Sequence, residues 1–83
     1  MNAQCYRKLI NTVNRVAAHN NNGFTVKAEI RPTGRIYIEC FESAENHSLN
    51  NGLGDTLEEA CENFMFNFPG ALASWGYTMP ELN

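Results

Sequence analysis

The chain lacks every short pattern that marks a common catalytic or cofactor site. Its 83 residues contain no G-x-x-x-x-G-K, no G-x-G-x-x-G, no H-E-x-x-H and no G-x-S-x-G sequence. No series of oxygen-bearing residues has the spacing of a calcium loop. We therefore expect a protein that is not an enzyme and that uses no metal and no cofactor.

Cysteine is scarce and scattered. Cys5, Cys40 and Cys61 are far apart and odd in number, and neither His19 nor His47 stands at a zinc-ligand spacing from them. A disulfide framework is not expected, and free thiols fit a reducing cytoplasm. Cys40 and Cys61 fall in register with apolar neighbours, so we predict both in the core.

Long apolar runs are also absent. No stretch approaches the roughly 18 residues of a membrane span, and charges and asparagines interrupt the start of the chain where a secretory signal would be apolar. Hydrophobic residues make up 43% and charged residues 18% of the chain. This composition is typical of a globular protein, and we expect a single domain over residues 1–83.

Basic residues are missing from the second half of the chain. Residues 1–35 hold all six and one acid, a net +5, whereas residues 36–83 hold eight acids and no Lys or Arg. The total of −3 argues against a general nucleic-acid binder, because neutralising phosphates requires surplus cations. An acidic surface can instead attract a basic partner, unless the two halves neutralise each other across the fold.

The first predicted element is an amphipathic helix over residues 3–19. Its apolar residues recur at helical spacing, and Asn20 to Gly23 are residue types that end helices. A hairpin follows, with a strand over residues 24–31, a turn around Pro32 and Gly34, and a strand over residues 35–42. The alternation predicts one buried face formed by Phe24, Val26, Ala28, Ile30, Ile36, Ile38 and Cys40.

The polar segment at 43–55 is either a long loop or holds a short third strand near residues 47–49; because long loops are unusual in compact domains, we favour a weak edge strand followed by a turn at residues 50–52. A second helix begins after Thr56, which with Glu59 forms a capping box. Its predicted stripe is Leu57, Ala60, Cys61, Phe64 and Phe68, while Met65 and Phe66 fall outside it and are expected to meet another element. Pro69-Gly70 should break this helix, and a short helical turn should follow and end at Gly76.

This order of elements predicts an α+β fold, a two-layer sandwich of two helices on one antiparallel sheet. The layout is similar to that of double-stranded-RNA-binding domains, although acids occupy the start of the last helix, where that family places lysines. It also resembles small phage-encoded proteins of the anti-CRISPR type, which are short, acidic and free of catalytic motifs. Residues 54–60, GDTLEEA, resemble the strand-to-helix junction of Hic-type antitoxins.

These observations lead to three functional hypotheses. The first is a phage-encoded inhibitor that occludes a nucleic-acid-binding site on a larger protein through an acidic surface. Its candidate residues are Glu39, Glu42, Glu45, Asp55, Glu58, Glu59 and Glu62, with Tyr37 and Phe41 as aromatic anchors on the exposed sheet face. That face could also hold a homodimer contact.

The second hypothesis is a small nucleic-acid-associated module. It would use basic residues of the first helix and of the first strand: Arg7, Lys8, Arg15, Lys27 and Arg31. The third is an antitoxin-like protein that stays bound to a toxin. Ordinary solvated acids and cross-strand charge pairs remain an alternative to all three.

Overall fold

The structure, a computed structural model, describes residues 3–80. The elements follow in the order α1 (Gln4–His19), β1 (Phe24–Ile30), β2 (Ile36–Glu42), β3 (His47–Gly54) and α2 (Leu57–Ser74). The strands form one antiparallel sheet in the order β1-β2-β3. Both helices pack on the same face of this sheet, which confirms the predicted α+β fold.

The core lies between the two helices and the sheet. The periodicity predicted the buried face of α1, and the central strand places Ile36, Ile38 and Cys40 beneath the helices. Asn21 closes α1 in the left-handed conformation with φ 58°, and Asn22 donates its N–H to the Ala17 carbonyl. Local sequence signals were therefore sufficient to predict the positions of the first helix and of the two hairpin strands.

Burial of β1 stops halfway along the strand, contrary to the alternation. Phe24 is buried, but Ala28 is exposed and Ile30 is 71% exposed. The prediction of a fully buried apolar face was wrong for these two residues because the helices cover only the first part of β1. Side-chain alternation shows which face a residue occupies but not how far the opposing layer extends.

β3 is longer than predicted, and the turn lies elsewhere. The strand runs over His47–Gly54, and the turn is at residues 43–46, where Asn46 has φ 57°. The predicted turn at residues 50–52 was wrong. Gly52 lies within β3, where its lack of a side chain allows α2 to pack closely against the strand. A Cβ on Gly52 would lie 2.4 Å from the carbonyl oxygen of Ala60 in α2.

α2 continues through Pro69, so the predicted break there was wrong. Proline removes one backbone donor, but Phe68 and Leu72 on either side of it are both buried and anchor the helix to the core. The predicted end at Gly76 is confirmed. Gly76 has φ 79°, and the Tyr77 N–H reaches the Leu72 carbonyl at 2.9 Å.

The segment after α2 packs back onto the sheet and α1. The Tyr77 hydroxyl donates to the Glu42 carboxylate and accepts from the Asn22 amide at 2.8 Å. Tyr77 and Met79 rest against the core, as expected for this segment. Glu81, one of the eight acids in the second half, lies outside the described residues.

Candidate protein-binding surface

The N-terminal end of α2 is held by the predicted cap. The Thr56 hydroxyl accepts the Glu59 N–H at 3.1 Å, and the Glu59 carboxylate accepts the Asp55 N–H at 3.3 Å. The return bond thus reaches the residue before Thr56. Carboxylates also suit the positive end of a helix dipole. The cap therefore fixes the direction in which the first two turns of α2 present their acids.

One exposed face of α2 carries acids and then an aromatic ring. Glu58, Glu62 and Phe66 follow at i, i+4 and i+8, so they lie one turn above another on the same side of the helix. All three are exposed, and Phe66 is 86% exposed. We call Glu58, Glu62 and Phe66 the acidic–aromatic stripe.

A cavity of about 490 Å³ lies between α1 and α2 beside this stripe. Lys8 and Cys5 line it from α1, while Glu58, Cys61 and Glu62 line it from α2. The cavity therefore has one cation and two carboxylates around it. Glu58 and Glu62, the two acids of the stripe, therefore face the same cavity as α1.

The buried thiols of the core are held in the protonated form. Burial raises the pKa of Cys40 from 9.0 to about 12. Burial likewise raises the pKa of Cys61 to about 12, helped by its hydrogen bond with Cys5 and by the negative charges of Glu58 and Glu62. Neither thiol supplies a thiolate nucleophile at neutral pH.

The acids outside α2 are engaged by other side chains. Glu39 accepts a 2.6 Å hydrogen bond from the Ser48 hydroxyl on the sheet face opposite the helices. Asp55 pairs with Arg35 at 3.2 Å, a contact between the basic and the acidic halves of the chain. The structure thus separates Glu39 from the acids of α2 and partly neutralises Asp55.

The two remaining acidic candidates lie near the turn between β2 and β3. Glu42 accepts from Tyr77, and the Glu45 carboxylate lies 3.8 Å from the His47 ring nitrogen. Neither of these contacts involves a residue of the acidic–aromatic stripe. Of the seven acidic candidates, the structure brings Glu58, Glu59 and Glu62 together on one helix.

Cations cover the aromatic candidates on the exposed sheet face. The Arg31 guanidinium lies 4.2 Å from the Tyr37 ring centroid, and the Lys27 ammonium lies 5.3 Å from the Phe41 ring centroid. Burial and the nearby Glu39 carboxylate raise the pKa of Tyr37. Both rings are only half-exposed, so this face offers no open aromatic platform.

The basic candidates fall on two sides of the molecule. Arg7, Lys8 and Arg15 are exposed on α1, which packs on one face of the sheet. Lys27 and Arg31 lie over aromatic rings on the other face. A single flat basic surface that uses all five is therefore not formed.

The exposure of Phe66 is the feature that the sequence only partly indicated. Its position outside the apolar stripe was visible, and it was expected to meet another element together with Met65. Met65 does pack partly against the core, whereas Phe66 stands in solvent. A second aromatic, Trp75, is 45% exposed and lies 5.6 Å from the His47 ring, centroid to centroid.

Residues 3–80 contain no group of three His, Cys, Asp or Glu side chains placed to hold a metal ion. Within the same range, neither helix combines the length and hydrophobicity that crossing a membrane requires. The chain matches no protein-family model, and no curated protein or solved structure is significantly similar to it.

Proposed function

We propose that this protein is a non-enzymatic inhibitor that binds a larger protein through the acidic–aromatic stripe and occludes a basic, nucleic-acid-binding site. The observation that carries this proposal is the 86% exposure of Phe66, directly above Glu58 and Glu62 on α2. A large apolar ring in water next to carboxylates is typical of a protein interface with a charged rim.

The apolar end of the stripe supplies affinity. Fully burying a phenylalanine side chain contributes about 1.5–3 kcal/mol, and aromatic residues are frequent among the few side chains that dominate an interface. Phe66 is 86% exposed, so its ring is available without rearranging the fold.

The acidic end supplies the choice of partner. Within residues 3–80, no ion pair is described for Glu58 or Glu62, and Glu59 is turned toward the cap. A site that binds phosphates is lined by Lys and Arg, and carboxylates on a rigid helix can take the place of those phosphates. This chemistry fits an anti-defence protein of a phage, acting in the cytoplasm of a bacterial host on a nucleic-acid-binding complex.

The test is capture of a partner from a nuclease-treated bacterial lysate by the tagged protein. We expect a stoichiometric protein partner that is lost with Phe66→Asp and with the pair Glu58→Lys and Glu62→Lys. Glu45→Lys, an exposed acid away from the stripe, is the matched control and should retain the partner. The captured protein should bind nucleic acid, and the wild-type chain should compete with that binding.

Unchanged capture by both stripe variants, at low salt, contradicts the proposal. A captured toxin without a nucleic-acid site would instead identify an antitoxin-like protein. The identity of the captured partner, obtained by mass spectrometry, therefore distinguishes an inhibitor of a nucleic-acid-binding protein from an antitoxin-like protein.

A second candidate function is a nucleic-acid-associated module, favoured by the exposed Arg7, Lys8 and Arg15 on α1. It predicts that nuclease removes all retained material and that retention falls steeply with salt. Arg7→Glu with Lys8→Glu would then abolish retention, whereas the stripe variants would not.

A further inference from the structure

β1 is an edge strand whose free side can be identified from two hydrogen bonds. The Ser43 N–H donates to the Gly23 carbonyl at 2.8 Å, and the Arg31 N–H donates to the Arg35 carbonyl at 2.7 Å. These bonds bracket the β1–β2 ladder and share its register. Because bonded and non-bonded pairs alternate in an antiparallel ladder, odd-numbered residues of β1 bond to β2. The even-numbered residues point their N–H and C=O groups outward.

The outward groups of β1 have no partner in the described part of the chain. No hydrogen bond within residues 3–80 is described for the outward groups of Val26, Ala28 or Ile30. The side chains at this end of the strand are also uncovered, since Ala28 is exposed and Ile30 is 71% exposed. Unpaired strand edges with apolar side chains are templates for a further strand.

The opposite edge of the sheet is closed. Asn63 of α2 donates its side-chain amide to the Leu53 carbonyl at 2.6 Å, and Asn67 donates to the Asn51 carbonyl at 3.3 Å. These are outward carbonyls of β3. Among the residues that the structure describes, the sheet therefore has one protected edge and one that is open to pairing.

We propose that β1 pairs with β1 of a second copy of this chain, antiparallel about a two-fold axis at Ala28, to form a continuous six-stranded sheet. This register pairs the outward groups of Ala28 with those of the other Ala28, and those of Val26 with those of Ile30. It also places Lys27 opposite Glu29 twice, once on each side of the axis. Two-fold symmetry makes every contact occur in duplicate.

Charge selects this register over its neighbours. A two-fold axis at residue 27 would set Lys27 against the second Lys27, and an axis at residue 29 would set Glu29 against the second Glu29. Like charges directly opposite each other destabilise strand pairs, whereas opposite charges stabilise them. Among the axes at residues 27, 28 and 29, only the axis at Ala28 sets opposite charges against each other, and it covers the exposed Ile30 with the half-buried Val26.

The proposed dimer leaves the acidic–aromatic stripe free. α2 lies over β3, at the far edge of the sheet from β1. A dimer through β1 would therefore carry two stripes and could engage two sites at once. The dimer and the proposed inhibitory function depend on different residues and can fail separately.

The experiment measures molecular mass by sedimentation equilibrium for the wild type and for Ala28→Pro. Wild type should approach twice the 9.3 kDa of one chain as its concentration rises, and Ala28→Pro should remain at one chain mass. The Ala28 N–H points away from β2, so proline removes no hydrogen bond of the monomer but removes two at the symmetry axis. Circular dichroism checks that the variant is folded.

A charge-reversal series gives a second readout that does not depend on proline. Lys27→Glu sets two pairs of like charges across the axis and should raise the dimer dissociation constant about tenfold. Adding Glu29→Lys restores opposite charges with reversed polarity and should restore the dimer. If Ala28→Pro fails to fold, this series decides.

Three outcomes overturn the proposal. The first is a wild-type mass of one chain at every concentration. The second is a dimer that persists in folded Ala28→Pro, which would use another surface. The third is a dimer lost in Phe66→Asp but kept in Ala28→Pro and Lys27→Glu, which would assign self-association to α2 instead.

Discussion

The two edges of the sheet differ in what covers them. At β3, the helix α2 lies against the strand, Gly52 and Gly54 make room for its backbone, and asparagine amides occupy the outward carbonyls. At β1, the outward backbone groups have no described partner and Ile30 stands in solvent. The comparison shows that, within the described residues, the two helices cover one edge of the sheet and leave the other open to pairing.

The largest expected effect comes from disrupting the packing of α2 against β3, the closed edge of the sheet. Gly52→Ala would place a Cβ 2.4 Å from both the Ala60 carbonyl oxygen and the Phe64 nitrogen, so α2 must move away from β3. We expect the free energy of unfolding to fall by about 3 kcal/mol or more. Urea denaturation followed by circular dichroism measures this loss.

Gly70→Ala is the matched control within α2. A Cβ there meets nothing within 4 Å, and alanine stabilises a helix interior by about 0.5–1 kcal/mol relative to glycine. Equal effects of the two alanines would show that α2 does not depend on close contact with β3.

The next largest effect is expected in β2, the central strand that pairs with both edge strands. Cys40 of β2 is fully buried and its pKa is raised from 9.0 to about 12. The unfolded chain loses this proton above pH 9.0 while the folded chain keeps it, so stability present at lower pH is lost as the pH rises from 9.0 toward 12. In that range this thiol lowers the free energy of unfolding by about 1.4 kcal/mol per pH unit.

Urea titrations at several pH values above 9.0 measure this slope. Cys40→Ala lowers stability at neutral pH because it opens a cavity, but its alkaline slope should be shallower than that of the wild type. An identical slope in the two proteins would assign the alkaline loss to other groups whose pKa values are raised, namely Cys61, Tyr6, Tyr37 and Tyr77.

A smaller effect is expected from removing a side-chain hydrogen bond to β3, the closed edge of the sheet. Asn63→Ala removes the 2.6 Å hydrogen bond to the Leu53 carbonyl, at a site that water can reach. The free energy of unfolding should fall by about 1 kcal/mol. Asn14→Ala, at an exposed position of α1, is the control and should change stability by less than about 0.5 kcal/mol. Equal losses would mean that the asparagine cap on β3 contributes nothing.

The smallest effect is expected at the open edge. Ile30→Ala should change the stability of the single chain by no more than about 0.5 kcal/mol, because the side chain is 71% exposed. Ile36→Ala, at the paired and buried position on β2, should cost about 2–5 kcal/mol. The measurement is made at a concentration where the wild type is monomeric. A large loss at Ile30 would show that this end of β1 is covered within one chain.

The elements that the sequence predicted well carry their signals within a few neighbouring residues. The helical spacing of α1, the turn between Arg31 and Arg35, and the cap at Thr56 need no knowledge of the rest of the fold. Cys40 and Cys61 were also correctly placed in the core. Each of these features depends on local periodicity or on a backbone group that an adjacent side chain satisfies.

The features that the sequence did not predict depend on contact between distant segments. Gly52 looked like a turn residue, yet its role is set by Ala60 on a helix that packs against it. Pro69 looked like a break, yet burial of its neighbours holds the helix continuous. Local propensity was overruled in both places by packing that the chain achieves only when folded.

The sequence by itself determined the class of fold, the start of each helix, the strands of the hairpin and the segregation of charge, because each follows from local spacing and composition. The tertiary structure decided which apolar residues stay in water, which acids share a surface and which edge of the sheet is covered. Phe66 and Ile30 show the reason: exposure is a property of what lies opposite a residue, and that depends on how far the two helices extend over a three-stranded sheet.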